Sequence, residues 1–162
     1  MPKDDRMKKT SKTNKVRQRT RRGVFAVVLD GKNNVLVVRR VLNWRGWELP
    51  KGGCDGKTER ETLEEELWEE VGLAKKDYKV IRKSKAVLEF KFGKKYGKKH
   101  SYTHARFTGW LVKSKTRRVS LKHNVVQEHD AFKWVTWKEA MKLFKFSNQV
   151  QTMKEIAKEF NL

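Results

Sequence analysis

The chain has 162 residues, enough for one ordinary domain with its own core and too few to require two, and its single cysteine, Cys54, excludes an internal disulfide. Lys and Arg number 40 against 19 Asp and Glu, a formal net charge of +21; this points to a polyanionic partner such as nucleotide phosphates or RNA, or else to a lysine-rich surface as a habit of composition. The longest apolar run, Val24 to Leu29, is too short for a bilayer span or a signal-peptide core, so no membrane partner is expected, and a lone thiol fits a reducing, cytoplasmic setting.

Residues 1–22 are dominated by Lys and Arg and offer only Met1, Met7 and Val16 as apolar side chains. They cannot bury enough surface to offset the entropy of ordering, which predicts a disordered basic arm, either an electrostatic tether for RNA or a solvated leader. One folded domain is expected over 23–162. Val24–Leu29 reads as a buried strand, Asp30–Asn34 as a turn, and Val35–Val38 as the return arm of a hairpin. Trp47–Leu49 is a short strand ended by Pro50, which cannot donate to a ladder, and it delivers the chain to a glycine loop at Lys51-Gly52-Gly53.

Thr58 and Glu61 stand at capping-box spacing and Gly72 is a natural left-handed stop, which predicts a helix between them. Leu63, Leu67 and Val71 form its core stripe, with Glu66 and Glu70 beside that stripe and Glu69 further round. Like charges so spaced weaken a helix unless something cationic sits against them. A basic chain that gathers its densest negative charge at the edge of one buried helical face therefore reads as a divalent-cation site.

Tyr78–Ile81 and Ala86–Phe92 read as further strands, and residues 93–99 as a basic hairpin tip whose Lys99 is a candidate phosphate contact. Tyr102–Lys113 is another strand; Tyr102, Phe107 and Trp110 are large enough to stack on a base, although most aromatics in such a strand are core, as Trp134 is expected to be. Trp137–Phe144 and Asn148–Phe160 close the chain as helices, the second with Val150, Met153, Ile156, Ala157 and Phe160 on one face.

The run from Lys51-Gly52-Gly53 to Glu66-Leu67-Trp68-Glu69-Glu70-Val71-Gly72-Leu73 resembles the Nudix box. The resemblance implies an α/β (α+β) domain, an α/β/α sandwich around a mixed β-sheet, that hydrolyses phosphoanhydrides with Mg²⁺ or Mn²⁺. It also implies that Glu66, Glu69 and Glu70 hold the metal together with the backbone carbonyl of Lys51 or Gly52. Trp47-Glu48-Leu49-Pro50-Lys51-Gly52 and Glu128-His129-Asp130-Ala131-Phe132-Lys133-Trp134 are similar to segments of the diadenosine tetraphosphate hydrolases of that family. Carried over residue by residue, Glu128 is a further metal ligand or the general base, His129 a structural or substrate-orienting partner, Trp47 packs under the site or against the substrate, and Lys51 lies toward the substrate.

Three departures stand out: a shortened glycine loop, Lys57 where the box has Glu, and Glu65 where it has Arg. Lys57 and Glu65 keep the spacing of two positions that carry opposite, pairing charges in the family, so the pair reads as reversed in sign rather than lost. The first-ranked activity implied is Mg²⁺-dependent cleavage of diadenosine tetraphosphate to ATP and AMP, with Glu128 or a box Glu deprotonating the water. Rival substrates are a capped or triphosphorylated RNA 5′ end and a diphosphoinositol polyphosphate; the rival of another class is a non-catalytic RNA or nucleotide binder on the same fold. The oligomeric state is left open.

Overall fold

The computed structural model describes residues 19–94 and 101–162. In chain order these form β1 (Thr20–Leu29), β2 (Val35–Arg40), β3 (Gly46–Glu48), β4 (Lys51–Gly53), α1 (Glu59–Val71), a 3-10 turn (Lys75–Asp77), β5 (Tyr78–Lys91), β6 (His104–Ser114), β7 (His129–Val135), α2 (Trp137–Leu143) and α3 (Ser147–Phe160). One mixed sheet runs β3-β2-β1-β6-β5, with β4 also on β1 and β7 also on β2. Only the β1–β6 pairing is parallel among the described strand pairs; the others are antiparallel.

From Val24 to Leu29 β1 is apolar without a break, because both its faces are covered there. Val24, Ala26 and Val28 turn toward α1 and pack with Leu63, Leu67 and Val71. Phe25, Val27 and Leu29 turn the other way and pack with Trp137, Met153 and Ile156 of α2 and α3. Helices on both faces of a mixed sheet make the α/β/α sandwich expected. Each fully buried aliphatic side chain in these two layers contributes roughly 1.5–3 kcal/mol.

α1 starts and stops where its sequence says. Thr58 accepts a hydrogen bond from the Glu61 amide at 3.1 Å, and Gly72 ends the helix at φ 71° with its N–H on the Trp68 carbonyl. Gly72 is required for a second reason: a Cβ there would lie 2.9 Å from Cβ of Ser120.

Several expectations need correction. Order reaches past Gly23 toward the N-terminus, because β1 begins at Thr20 and Thr20, Arg21 and Arg22 pair with His104, Ala105 and Arg106 of β6. The rest of the expected arm, residues 1–18, lies outside the described residues, as do residues 95–99 of the expected basic tip, Lys99 among them. The two strands expected between Tyr78 and Phe92 are one strand, β5, whose register with β6 shifts twice, between Val80 and Arg82 and between Lys83 and Val87. Lys51–Gly53 is a short strand on β1 and not a free loop. No helix among the described residues is long and apolar enough to cross a membrane.

Candidate active site

β4 and α1 build one wall of the site. β4 is held to β1 by the pairs Gly23 with Gly53, Val24 with Gly52 and Phe25 with Lys51. This brings Gly52 under α1, where a Cβ would lie 2.1 Å from Cδ and Oε1 of Glu66. Only glycine lets that carboxylate rest on the strand. One helical turn on, the Lys51 amide donates to Oε2 of Glu70 at 3.0 Å. Across from them stands Glu128, placed by the β2–β7 pairing that ends at Arg40 and His129.

The carboxylates disturb one another strongly. Burial, then the charges of Glu69, Glu128 and Glu65, push Glu66 up to about 8, with Arg21 opposing. Burial, then Glu66, Glu48 and Glu128, hold Glu70 well above the usual carboxylate range, with Lys51 opposing. Burial and then Glu65 raise Glu69, to which Glu128 also contributes. One ligand atom each from Glu70, Glu128 and His129 lie within 4.8 Å of one another. Buried carboxylates crowded in this way are stable only with protons or a cation among them, and a mainly carboxylate-oxygen donor set suits Mg²⁺ or Mn²⁺. The residues present therefore fit the divalent ion that the box implies.

Behind the cluster lies a group the sequence reading did not single out. Glu48 is 1% exposed and is held by Nζ of Lys51 at 2.7 Å, Nε2 of His129 at 2.9 Å and a guanidinium nitrogen of Arg40 at 3.3 Å. Burial alone would raise its pKa, but the charge of Lys51, the His129 hydrogen bond and Arg40 together bring it down to about 2. The available signal was strand alternation: Glu48 must face opposite to Trp47 and Leu49, toward α1. Arg40 also reaches Glu128, at 3.6 Å, and so links the buried anion to the far wall.

This network alters several expected roles. The Lys51 ammonium is committed to Glu48 and not presented to a substrate. His129, 5% exposed, is the structural partner of Glu48. Trp47 sits on the opposite face of β3, with Lys133 and Arg39 over its ring at 4.9 and 5.8 Å, so it is not brought to the carboxylates. Phe107, 4% exposed and edge-to-face with Phe90, is core and not a base-stacking surface. Tyr102 is half-buried just before β6. Trp134, expected in the core, is half-buried, its indole N–H on the Arg117 carbonyl.

Lys57 and Glu65 form an ion pair in the structure, and the Glu65 hydrogen bond raises the Lys57 ammonium above its usual range. A second pair was missed because Arg21 falls in the expected arm: its guanidinium lies over Gly53 and grips both oxygens of Asp55, at 3.0 and 3.3 Å. A surface depression of about 600 Å³ between Lys57, Glu65, Trp68 and Lys75 lies on the outer flank of α1 and touches neither Glu66 nor Glu70. The converging carboxylates, and not that concavity, mark the site.

The family model for the NUDIX domain matches residues 19–159. The chain belongs to the Nudix family. Relatives include an RNA pyrophosphohydrolase from Mannheimia succiniciproducens, 30% identical over 146 residues that span 85% of this chain and 74% of that protein. Another, from Photobacterium profundum, is 29% identical and covers 85% of this chain and 83% of that protein. Among solved structures, a C. elegans Ap4A hydrolase in a binary complex matches with a TM-score of 0.68 at 19% identity, covering 87% of this chain and 98% of that one. The E. coli dihydroneopterin triphosphate pyrophosphohydrolase matches at 0.69 and 19%, covering 90% and 99%. These structural likenesses show a Nudix fold, and family membership with such relatives makes the chain a Nudix pyrophosphohydrolase, acting on phosphoanhydride bonds.

Proposed function

We propose that this Nudix enzyme hydrolyses the 5′-terminal polyphosphate of RNA, cleaving between the α- and β-phosphates to leave a 5′-monophosphorylated RNA and pyrophosphate. The observation that carries the reading is the convergence of Glu66, Glu69, Glu70 and Glu128, three of them with raised pKa, in a chain of net charge +21. The relatives named RNA pyrophosphohydrolase support the substrate class, and the positive charge suits a polyanion.

Glu66, Glu69, Glu70 and Glu128, with the Lys51 or Gly52 carbonyl, would hold the divalent ion, which when bound would screen phosphate charge and lower the pKa of the attacking water. The chain's own groups then divide the work. Gly52 gives Glu66 room, and the Lys51 amide fixes Glu70. Glu128, its side chain 29% exposed, is the carboxylate set opposite the helix to accept the water's proton. Glu48 anchors Lys51, Arg40 and His129, and so ties β4 to the start of β7. The Lys57–Glu65 pair braces the loop before α1 against the helix.

Cleavage of diadenosine tetraphosphate, the first-ranked activity from the sequence, becomes the second reading. Its support is the Glu128-His129 segment; the likeness to the C. elegans enzyme, at 19% identity, bears on fold alone. Incubation with Mg²⁺ and equal concentrations of 5′-triphosphate RNA, capped RNA, diadenosine tetraphosphate and a diphosphoinositol polyphosphate, with product identification, separates them. Preferred release of pyrophosphate from triphosphate RNA supports the proposal. Preferred formation of ATP and AMP would replace it with the second reading, and nucleotide binding without metal-dependent turnover would indicate a binder.

A further inference from the structure

At the end of the sheet away from the carboxylates, the turn after β1 and the strand ends of β5 and β6 enclose an open depression of about 410 Å³ lined by Lys79, Lys113, Lys115, Arg117, Ser114 and Asp30. Its charge is one-sided. Lys79 and Lys113 face each other directly across the β5–β6 pairing, an arrangement in which like charges repel. Lys79, Lys113 and Lys115 are all exposed, and among the described residues none of the three forms an ion pair.

The one carboxylate of the depression cannot neutralise them. Asp30 has a side chain only 3% exposed, accepts from the Lys32 and Asn34 amides at 2.9 and 2.8 Å and from the Asn34 side chain at 3.1 Å, and pairs with Arg117. Arg117 in turn lies near the half-buried Trp134 ring, 5.9 Å from its centroid. Cations with a neighbouring aromatic are the elements of a sequence-tolerant single-strand nucleic-acid surface.

The position fits a substrate that runs past the active site. The depression lies at the Leu29 end of β1 and the carboxylates at the Gly23 end, roughly 20 Å apart at strand rise. Lys79 and Lys113, in register with Leu29, project from the sheet face opposite α1, so an RNA strand joining the two sites runs around the end of the sheet and needs more than about six nucleotides at roughly 3.4 Å each. The segment from Arg117 to Glu128 starts at the depression and ends at the site, and it exposes Arg118 and Lys122 on the way.

We infer that Lys79, Lys113, Lys115 and Arg117 form a second anchor, outside the active site, for the phosphodiester backbone of the RNA body. This rests on the RNA reading above, so the decisive test uses binding as well as turnover. The variant Lys79→Glu/Lys113→Glu/Lys115→Glu is compared with a control of equal charge change on the helical face, Lys138→Glu/Lys142→Glu/Lys154→Glu, all exposed positions. The probe is a single-stranded 12-nucleotide RNA with a 5′-hydroxyl end, measured by fluorescence anisotropy in EDTA over a range of salt.

The anchor variant should bind at least tenfold more weakly than the control, with a log–log salt slope shallower by about 2, the value for three lost phosphate contacts to a single strand. On 5′-triphosphate RNA of the same length its kcat/KM should fall in parallel, while a triphosphorylated dinucleotide should be turned over as by wild type. Equal binding losses in the two variants, or none in either, would overturn the inference and leave the active-site reading untouched. Failure of wild type to hydrolyse any triphosphorylated RNA would instead overturn that reading, and the binding comparison would still decide the anchor.

Discussion

Without metal, the carboxylate cluster must destabilise the fold, and the penalty must grow with pH. Glu66 titrates near 8 in the native state against an ordinary value of 4.5, so between these values the native state binds more protons than the unfolded one. For a group raised in this way the stability is fully present below 4.5 and is lost as pH rises through about 8. At about 1.4 kcal/mol per pH unit the interval sets an upper bound of roughly 5 kcal/mol for Glu66, and local relaxation will reduce it to a few. Glu70 shifts in the same direction and adds to the loss.

For a domain of this size a loss of about 2–3 kcal/mol lowers Tm by roughly 5–10 °C. Thermal unfolding in EDTA should therefore show Tm falling between pH 5 and pH 8, and millimolar Mg²⁺ should restore more at pH 8 than at pH 5. Glu66→Gln should raise Tm in EDTA at pH 8 and make the fall of Tm with pH shallower, leaving the part that Glu70 contributes. A Tm in EDTA that is flat or rises over this interval would refute the reasoning, as would a Mg²⁺ stabilisation independent of pH.

Gly52→Ala should displace the Glu66 carboxylate, whose Cδ lies 2.1 Å from the added Cβ, and should weaken Mn²⁺ binding and kcat by about 100-fold, since misplacing a catalytic group by about 1 Å has that effect. Lys57→Glu and Glu65→Arg should each impair activity, and the double change should recover most of it, because it restores an ion pair of opposite sense; equal damage from all three would remove the paired role. Glu48→Ala should destabilise by about 3–5 kcal/mol in urea unfolding, since it strands Lys51, Arg40 and His129 around a buried gap. The Glu48 contribution has the opposite pH sense to that of Glu66, present above 4.5 and lost as pH falls through about 2, so acid unfolding of wild type should be steeper at low pH than that of Glu48→Gln.

Much of the site was legible because its determinants are local. The capping residue Thr58, the stop at Gly72 and the Leu63–Leu67–Val71 stripe define α1 within one stretch, and they place Glu66 and Glu70 at its buried edge. The Lys57–Glu65 pair is also local, eight positions apart. The hidden features depend on distant partners. Glu48 is tolerable in the interior only because His129, 81 positions away, and Arg40 reach it, and nothing in its own neighbourhood announces that. Lys51 and Gly52 look like loop residues until β1 supplies a pairing partner, and Arg21 looks like part of a tail until β6 does. Phe107 illustrates the converse: an aromatic in a strand reads equally as ligand platform or core until the packing against Phe90 decides.

A metal-dependent hydrolytic centre built on these carboxylates is tested most directly by single-turnover hydrolysis of 5′-triphosphate RNA. With Mg²⁺ the wild-type chain should release pyrophosphate and leave a 5′-monophosphate end. EDTA, Glu69→Gln and Glu70→Gln should each abolish the release while circular dichroism and RNA binding are retained. Turnover that survives in both variants, or that proceeds in EDTA, would contradict it.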